Sequence, residues 1–151
     1  MKVFVSYRFS NIKKEDLEKL LDPVCLFFKD INITTFCNFY KDQYYLDNNY
    51  SAKEIMTDCF MNIDDSDIIL CLVDTEKYSC GMLLEIGYSL ANRKNIIVCS
   101  RVGCEIDTLS KMANHNIKYS NYNELLEEIR KVFSSSQFNL MKIFEQASNY
   151  F

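Results

Sequence analysis

Eleven residues, Met82 to Asn92, carry a single charge, Glu85, in a run that is otherwise apolar, small or uncharged. A carboxylate among apolar neighbours loses hydration, and that raises its pKa. On a helix of 3.6 residues per turn, Gly81, Glu85 and Ser89 share one stripe, Leu83, Ile86 and Leu90 a second, and Leu84, Tyr88 and Ala91 a third. The spacing predicts a carboxylate looking out between small residues, with room above the backbone for a flat substrate. Such a group can attack the anomeric carbon of a sugar, form a glycosyl-enzyme intermediate and expel the leaving group. A competing reading leaves Glu85 structural: an acid near a helix start favours the dipole, and Lys94 or Lys41 is available as an ion-pair partner.

An alternation of strands and helices must position this group. Residues 2–6, KVFVS, read as a strand, and the polar YRFSN that follows bridges into a helix capped near Asn11. Leu17, Leu20, Leu21, Val24, Phe27 and Phe28 recur at helical spacing over 13–29, where Pro23 is expected to kink or split the helix. NITTFC, 32–37, reads as a second strand, and the tyrosine-rich stretch 38–50 as a long loop. SAKE, 51–54, is a capping box with Ser51 as N-cap and Glu54 three residues on, opening a helix through Ile55, Met56, Cys59 and Phe60. DIILCLV, 67–73, has the unbroken apolar character of a central parallel strand. The Glu85 helix, roughly 81–93, leads to a strand at 95–100, a short helix within 104–113 and a weak strand at 116–120. Leu125, Leu126, Ile129, Val132 and Phe133 mark a closing helix before SSS breaks the pattern.

This order predicts an α/β fold, a doubly wound, five-stranded, mainly parallel sheet in one domain over 1–133. Residues 134–151 read as an amphipathic helical tail whose apolar positions, Phe138, Met141, Phe144 and Ala147, call for cover from the chain's own domain or another subunit. Ligands of such sheets bind beyond the carboxyl ends of the strands, which directs attention to the loops 7–11, 38–49 and 74–81. Ser6, Tyr7 and Arg8 there offer hydroxyls and a guanidinium for ribose or phosphate. The plainer alternative makes Arg8 a surface charge and packs Tyr7 on a helix. Phe39, Tyr40, Tyr44, Tyr45 and Tyr50 either stack on a base or simply pack together.

Composition narrows the chemistry. The 151 residues are 48% hydrophobic and 25% charged, ordinary usage for one globular domain. No apolar run approaches the roughly twenty residues of a membrane span, and MKVFVSYRF turns polar too early for a signal peptide, so a cytosolic address is expected. Seven cysteines, an odd set without a Cys-x-x-Cys pair, read as reduced core thiols. With His115 the only histidine, neither the usual zinc ligand set nor a Ser-His-Asp or Cys-His pair can be assembled. DDSD, 64–67, reads as a helix end entering a strand rather than a Mg²⁺ site. No metal and no tightly held cofactor is expected. A net charge of −4 with dispersed lysines argues against a nucleic-acid partner.

MLLEIGYSLANRKNIIV following DIILCLVD resembles the nucleoside 2-deoxyribosyltransferase family over about residues 64–100. That family has a strand ending in Asp and a following helix that carries Glu before a small-residue pattern. The resemblance implies that Glu85 is the nucleophile at C1′ of a nucleoside, with Asp74 the carboxylate near base or sugar. Residues at the helix start, Ser79, Gly81 and Met82, fall among the substrate-binding positions. The family often has Asp-Ser-Gly before the helix where this chain has Ser79-Cys80-Gly81. KVFVSYRFSN, in turn, resembles the opening of Toll/interleukin-1 receptor (TIR) domains, and YSCGMLLE loosely echoes the segment carrying their NAD-cleaving Glu, again Glu85. The two resemblances share one implied chemistry, cleavage or transfer at the N-glycosidic bond of a nucleoside, nucleotide or NAD-like substrate. NAD would be consumed as substrate, and an antiviral nucleotide signal or a non-catalytic interaction module are the alternatives. The first family also implies a homo-oligomer in which Tyr150 and Phe151 complete a neighbour's pocket.

Overall fold

A computed structural model describes residues 1–8, 11–77, 79–104 and 106–135. Five strands, β1 (Lys2–Tyr7), β2 (Thr34–Phe36), β3 (Ile68–Val73), β4 (Asn95–Arg101) and β5 (His115–Tyr119), form one sheet in the order β2-β1-β3-β4-β5. Every pairing is parallel. The helices are α1 (Lys14–Asp30), α2 (Asp42–Asp47), α3 (Ala52–Asp64), α4 (Cys80–Ala91), α5 (Asp107–Met112) and α6 (Tyr122–Ser134). α1 and α6 cover one face, where Val3, Val5, Leu70, Leu72, Ile97 and Cys99 meet Leu17, Leu21, Phe28 and Ile129. α3, α4 and α5 cover the other, against Phe4, Ile69, Cys71, Val73, Ile96 and Val98. β3 is central and buried along its whole length, as its unbroken apolar run requires.

Three local expectations need correction. Pro23 neither splits nor ends α1, which runs unbroken through it. An interior proline costs about 3 kcal/mol, but Leu17, Leu20 and Leu21 before it and Val24, Phe27 and Phe28 after it are all buried on the same sheet face. Burial of several such side chains, each contributing about 1.5–3 kcal/mol, outweighs the defect. At the start of α1, Lys13 occupies the N-cap without a side-chain bond, and Asn11 instead adopts positive φ of 60°. Residues 38–50 are not an open loop: a 3₁₀ turn over Asn38–Lys41 continues into α2. Asp58 of α3 fastens this segment, accepting hydrogen bonds from Lys41 Nζ at 2.7 Å and Tyr45 Oη at 2.5 Å.

Other elements form where their sequences place them. Ser51 and Glu54 make the reciprocal capping box, with Glu54 Oε2 accepting from the Ser51 backbone N–H at 2.8 Å. α6 ends at Ser134, within SSS. The amphipathic tail expected over 134–151 lies, beyond Ser135, outside the described residues.

Candidate active site

The strand order reverses between β1 and β3, which are parallel and end on the same side of the sheet, so the crevice beyond their carboxyl ends is the switch point of the fold. Ser6 lies beside Cys71 in that register, both facing the α3/α4 layer. Above this pair α4 delivers Glu85, 5% exposed. Ser6 Oγ donates to Glu85 Oε2 at 2.5 Å. The Cys59 thiol of α3 adjoins the carboxylate and favours its charged form, and Cys59 Sγ accepts from Asn38 Nδ2 at 3.7 Å.

No cation reaches this carboxylate among the described residues. Lys94 donates to the carbonyls of Asp64 and Ser66, and Lys41 pairs with Asp58, so neither serves as the ion-pair partner that one form of the structural reading of Glu85 offered. Burial pushes Glu85 up to about 7, with Ser6 and Cys59 acting the other way. Its charge in turn adds to burial in raising the Cys59 thiol to about 12. Tyr7 and Cys71 are likewise held protonated, chiefly by burial.

α4 inverts the arrangement its stripes predict. Leu83, Leu84 and Leu90 face outward at 47%, 54% and 38% exposure, whereas Met82, Glu85, Ile86 and Ser89 are buried. The carboxylate therefore does not look out between small residues; it faces the sheet. The contact of α4 with β1, β3 and α3 selects the face that carries Glu85.

The remaining expected residues divide into two groups. Arg8, Asp74 and Met82 line a crevice of about 40 Å³ at the ends of β1 and β3, with Met82 one turn before Glu85. Asp74 projects to the α1/α6 side, accepting from Tyr119 Oη at 3.2 Å, Tyr122 Oη at 3.3 Å and Arg101 Nη1 at 3.5 Å, and so does not share the Ser6–Glu85 environment. Tyr7 also turns to that side and packs edge-on against Phe39 at 6.3 Å. Ser79 is the N-cap of α4, its hydroxyl accepting from the Met82 N–H at 3.2 Å. A Cβ on Gly81 would meet only Met56 Sδ, at 4.0 Å, so packing alone does not demand glycine there.

The aromatic segment also divides. Phe39 and Tyr40 line a larger hollow of about 390 Å³ with Ile12, Leu17, Asp42 and Gln43, while Tyr44, Tyr45 and Tyr50 pack on one another. Neither crevice is lined by Glu85. Asn38 and Cys59 escape sequence reasoning altogether, because nothing in either segment announces which face of α3 meets α4.

This arrangement has the fold of the nucleoside 2-deoxyribosyltransferases. A CMP N-glycosidase from Clostridium botulinum superposes with a TM-score of 0.65 at 18% identity, covering 86% of this chain and 98% of that one. A 2-deoxyribosyltransferase from Bacillus psychrosaccharolyticus gives 0.60 at 16%, covering 83% and 90%. A conserved protein from Enterococcus faecalis V583 gives 0.58 at 17%, covering 87% and 98%. No protein-family model and no curated protein matches the sequence.

Proposed function

We propose that the chain is an enzyme that cleaves, or transfers across, the N-glycosidic bond of a nucleoside or nucleotide, with Glu85 as nucleophile. One observation carries this reading: a carboxylate with no counter-cation among the described residues lies buried at the switch point, oriented by Ser6 and adjoined by Cys59. An ionised acid gains nothing structurally from that position, since burial without a cation opposes its charge. Two proteins of the same fold are an N-glycosidase and a deoxyribosyltransferase, which supports the same class of reaction.

In the ionised state a Glu85 oxygen attacks C1′. The C1′–N bond breaks, its electron pair passes to the base, and the base takes a proton from solvent. Water or a second base then attacks C1′ and releases the carboxylate. Ser6 holds the attacking group in place. Tyr7 and Arg8 contribute to ribose or phosphate binding, and Asp74, steadied by two tyrosine hydroxyls, orients ribose or base from the rim. Ser79, Gly81 and Met82 shape the opening of the helix beside the sugar. Nothing in the similarities favours NAD over a nucleotide as substrate. A homo-oligomer joined through the leucine face of α4, working in the cytosol, completes the reading.

The test is product analysis by mass spectrometry after incubation with a panel of nucleosides, nucleotides and NAD, beside Glu85→Gln. Free base released by the wild type and reduced about a thousandfold or more in the variant is expected, the loss typical of removing a nucleophile. Equal release by both proteins overturns the assignment.

A further inference from the structure

Among the described residues one buried side-chain nitrogen or oxygen atom has no hydrogen-bond partner: Nε of Arg8. The same guanidinium donates through Nη1 to Thr75 Oγ1 at 3.0 Å, which fixes its plane at the ends of β1 and β3. Lys77, exposed at the rim of the same crevice, forms no ion pair with a described carboxylate. The two acids that line the crevice are engaged elsewhere, Asp74 by Arg101, Tyr119 and Tyr122, and Asp16 by Lys19 at 3.2 Å. The crevice therefore presents two cations and no free acid to neutralise them. A buried guanidinium N–H left unpaired is costly, and an oxyanion is the partner its fork geometry fits best.

We infer that Arg8, Thr75 and Lys77 form the binding site for the 5′-phosphate of the substrate, which makes the substrate a nucleoside monophosphate rather than a nucleoside. The inference rests on the proposed N-glycosidic chemistry for its substrate but not for its anion. The Arg8 guanidinium and the Lys77 ammonium meet the phosphate oxygens, and Thr75 locks the guanidinium. Met82 also lines this crevice and lies on α4 one turn before Glu85, which sets the phosphate beside the helix that bears the nucleophile. The larger hollow adjoins through Ile12 and Leu17, which line both.

Binding measured by calorimetry on Glu85→Gln, in which base release is blocked, tests this directly. The probes are inorganic phosphate, the four common ribonucleoside 5′-monophosphates, their 3′-monophosphates and the parent nucleosides. At least one 5′-monophosphate should bind about tenfold or more tightly than its nucleoside, a typical return for a charge-assisted phosphate contact. Inorganic phosphate should compete with it. Lys77→Gln in the same background should remove most of that preference while nucleoside affinity is kept; Arg8→Gln should remove the preference as well, and Arg8→Lys, which keeps charge but lacks the guanidinium fork, should restore only part. Lys77 is exposed, so its variant reports even if replacement of Arg8 disturbs folding. Equal affinity for nucleoside and 5′-monophosphate, or a preference untouched by these substitutions, overturns the site. A phosphate preference in a wild type that releases no base overturns the glycosidic reading and leaves the anion site standing; base release without phosphate preference does the reverse.

Discussion

Glu85 is expensive for the fold in its ionised form, and the same burial suits it to the proposed chemistry. Its pKa in the fold, about 7, lies above the ordinary 4.5, so the fold favours the protonated form. Stability contributed by the neutral carboxyl is complete below about pH 4.5, declines as pH rises and is gone above about 7. Glu85→Gln removes this dependence, and urea unfolding at pH 8 should find the variant more stable by up to about 3 kcal/mol, the equivalent of the shift. Activity moves oppositely: kcat/KM of the wild type should rise with pH and level off above about 7 as the nucleophile ionises. Ser6 and Cys59 both hold that value down, so Cys59→Ala should displace the rising limb to higher pH, and Cys59→Ser, which keeps a donor, should restore it. A merely structural thiol would change stability and leave the pH profile in place. The identity of Glu85 as the residue to watch was legible from one charge in an uncharged run. Its support was not, because Ser6, Cys59 and Asn38 come from three other segments and meet it only through packing.

Elements show where local rules yield to the sheet. Pro23 survives inside α1 because its neighbours are anchored on both sides, so Pro23→Ala should restore a backbone donor and stabilise the protein by about 1–2 kcal/mol in urea titrations, part of the helix gain being offset by a freer unfolded chain. No change would mean that α1 has adapted to proline without loss. The segment 38–50 looked like a loop because its residues are polar and aromatic without a regular period. Its order depends on Asp58, far along α3, which gathers Lys41 and Tyr45. Asp58→Asn should therefore weaken that segment, with faster amide exchange over 38–47 as the readout. The two central strands, the capping box and the closing helix were readable because their signals are local: continuous apolarity, a reciprocal cap, a 3.6-residue period. The orientation of α4 was not, since leucines and small residues alternate around it and both faces look apolar in sequence.

At the scale of the whole molecule, a five-stranded parallel sheet with helices on both faces followed from the alternation of strand and helix patterns, whereas the order β2-β1-β3-β4-β5 came only with the structure; that order puts one carboxylate at the point where ligands of such sheets bind. That same packing leaves Leu83, Leu84 and Leu90 outward on the helix that bears Glu85, with Gly87 adding no bulk between them. Self-association through this face should appear as a concentration-dependent mass in analytical ultracentrifugation and be abolished by Leu84→Lys; a wild type monomeric at all concentrations would contradict it. The account as a whole depends on covalent attack by Glu85. Intact-protein and peptide mass spectrometry after reaction with a 2-deoxy-2-fluoroarabinosyl nucleotide, whose fluorine slows release of a glycosyl intermediate, reads that attack directly. The predicted result is the mass of the fluorinated sugar on the peptide containing Glu85, with free base released in equal amount. Base release from that nucleotide with the sugar bound to a different residue would contradict it.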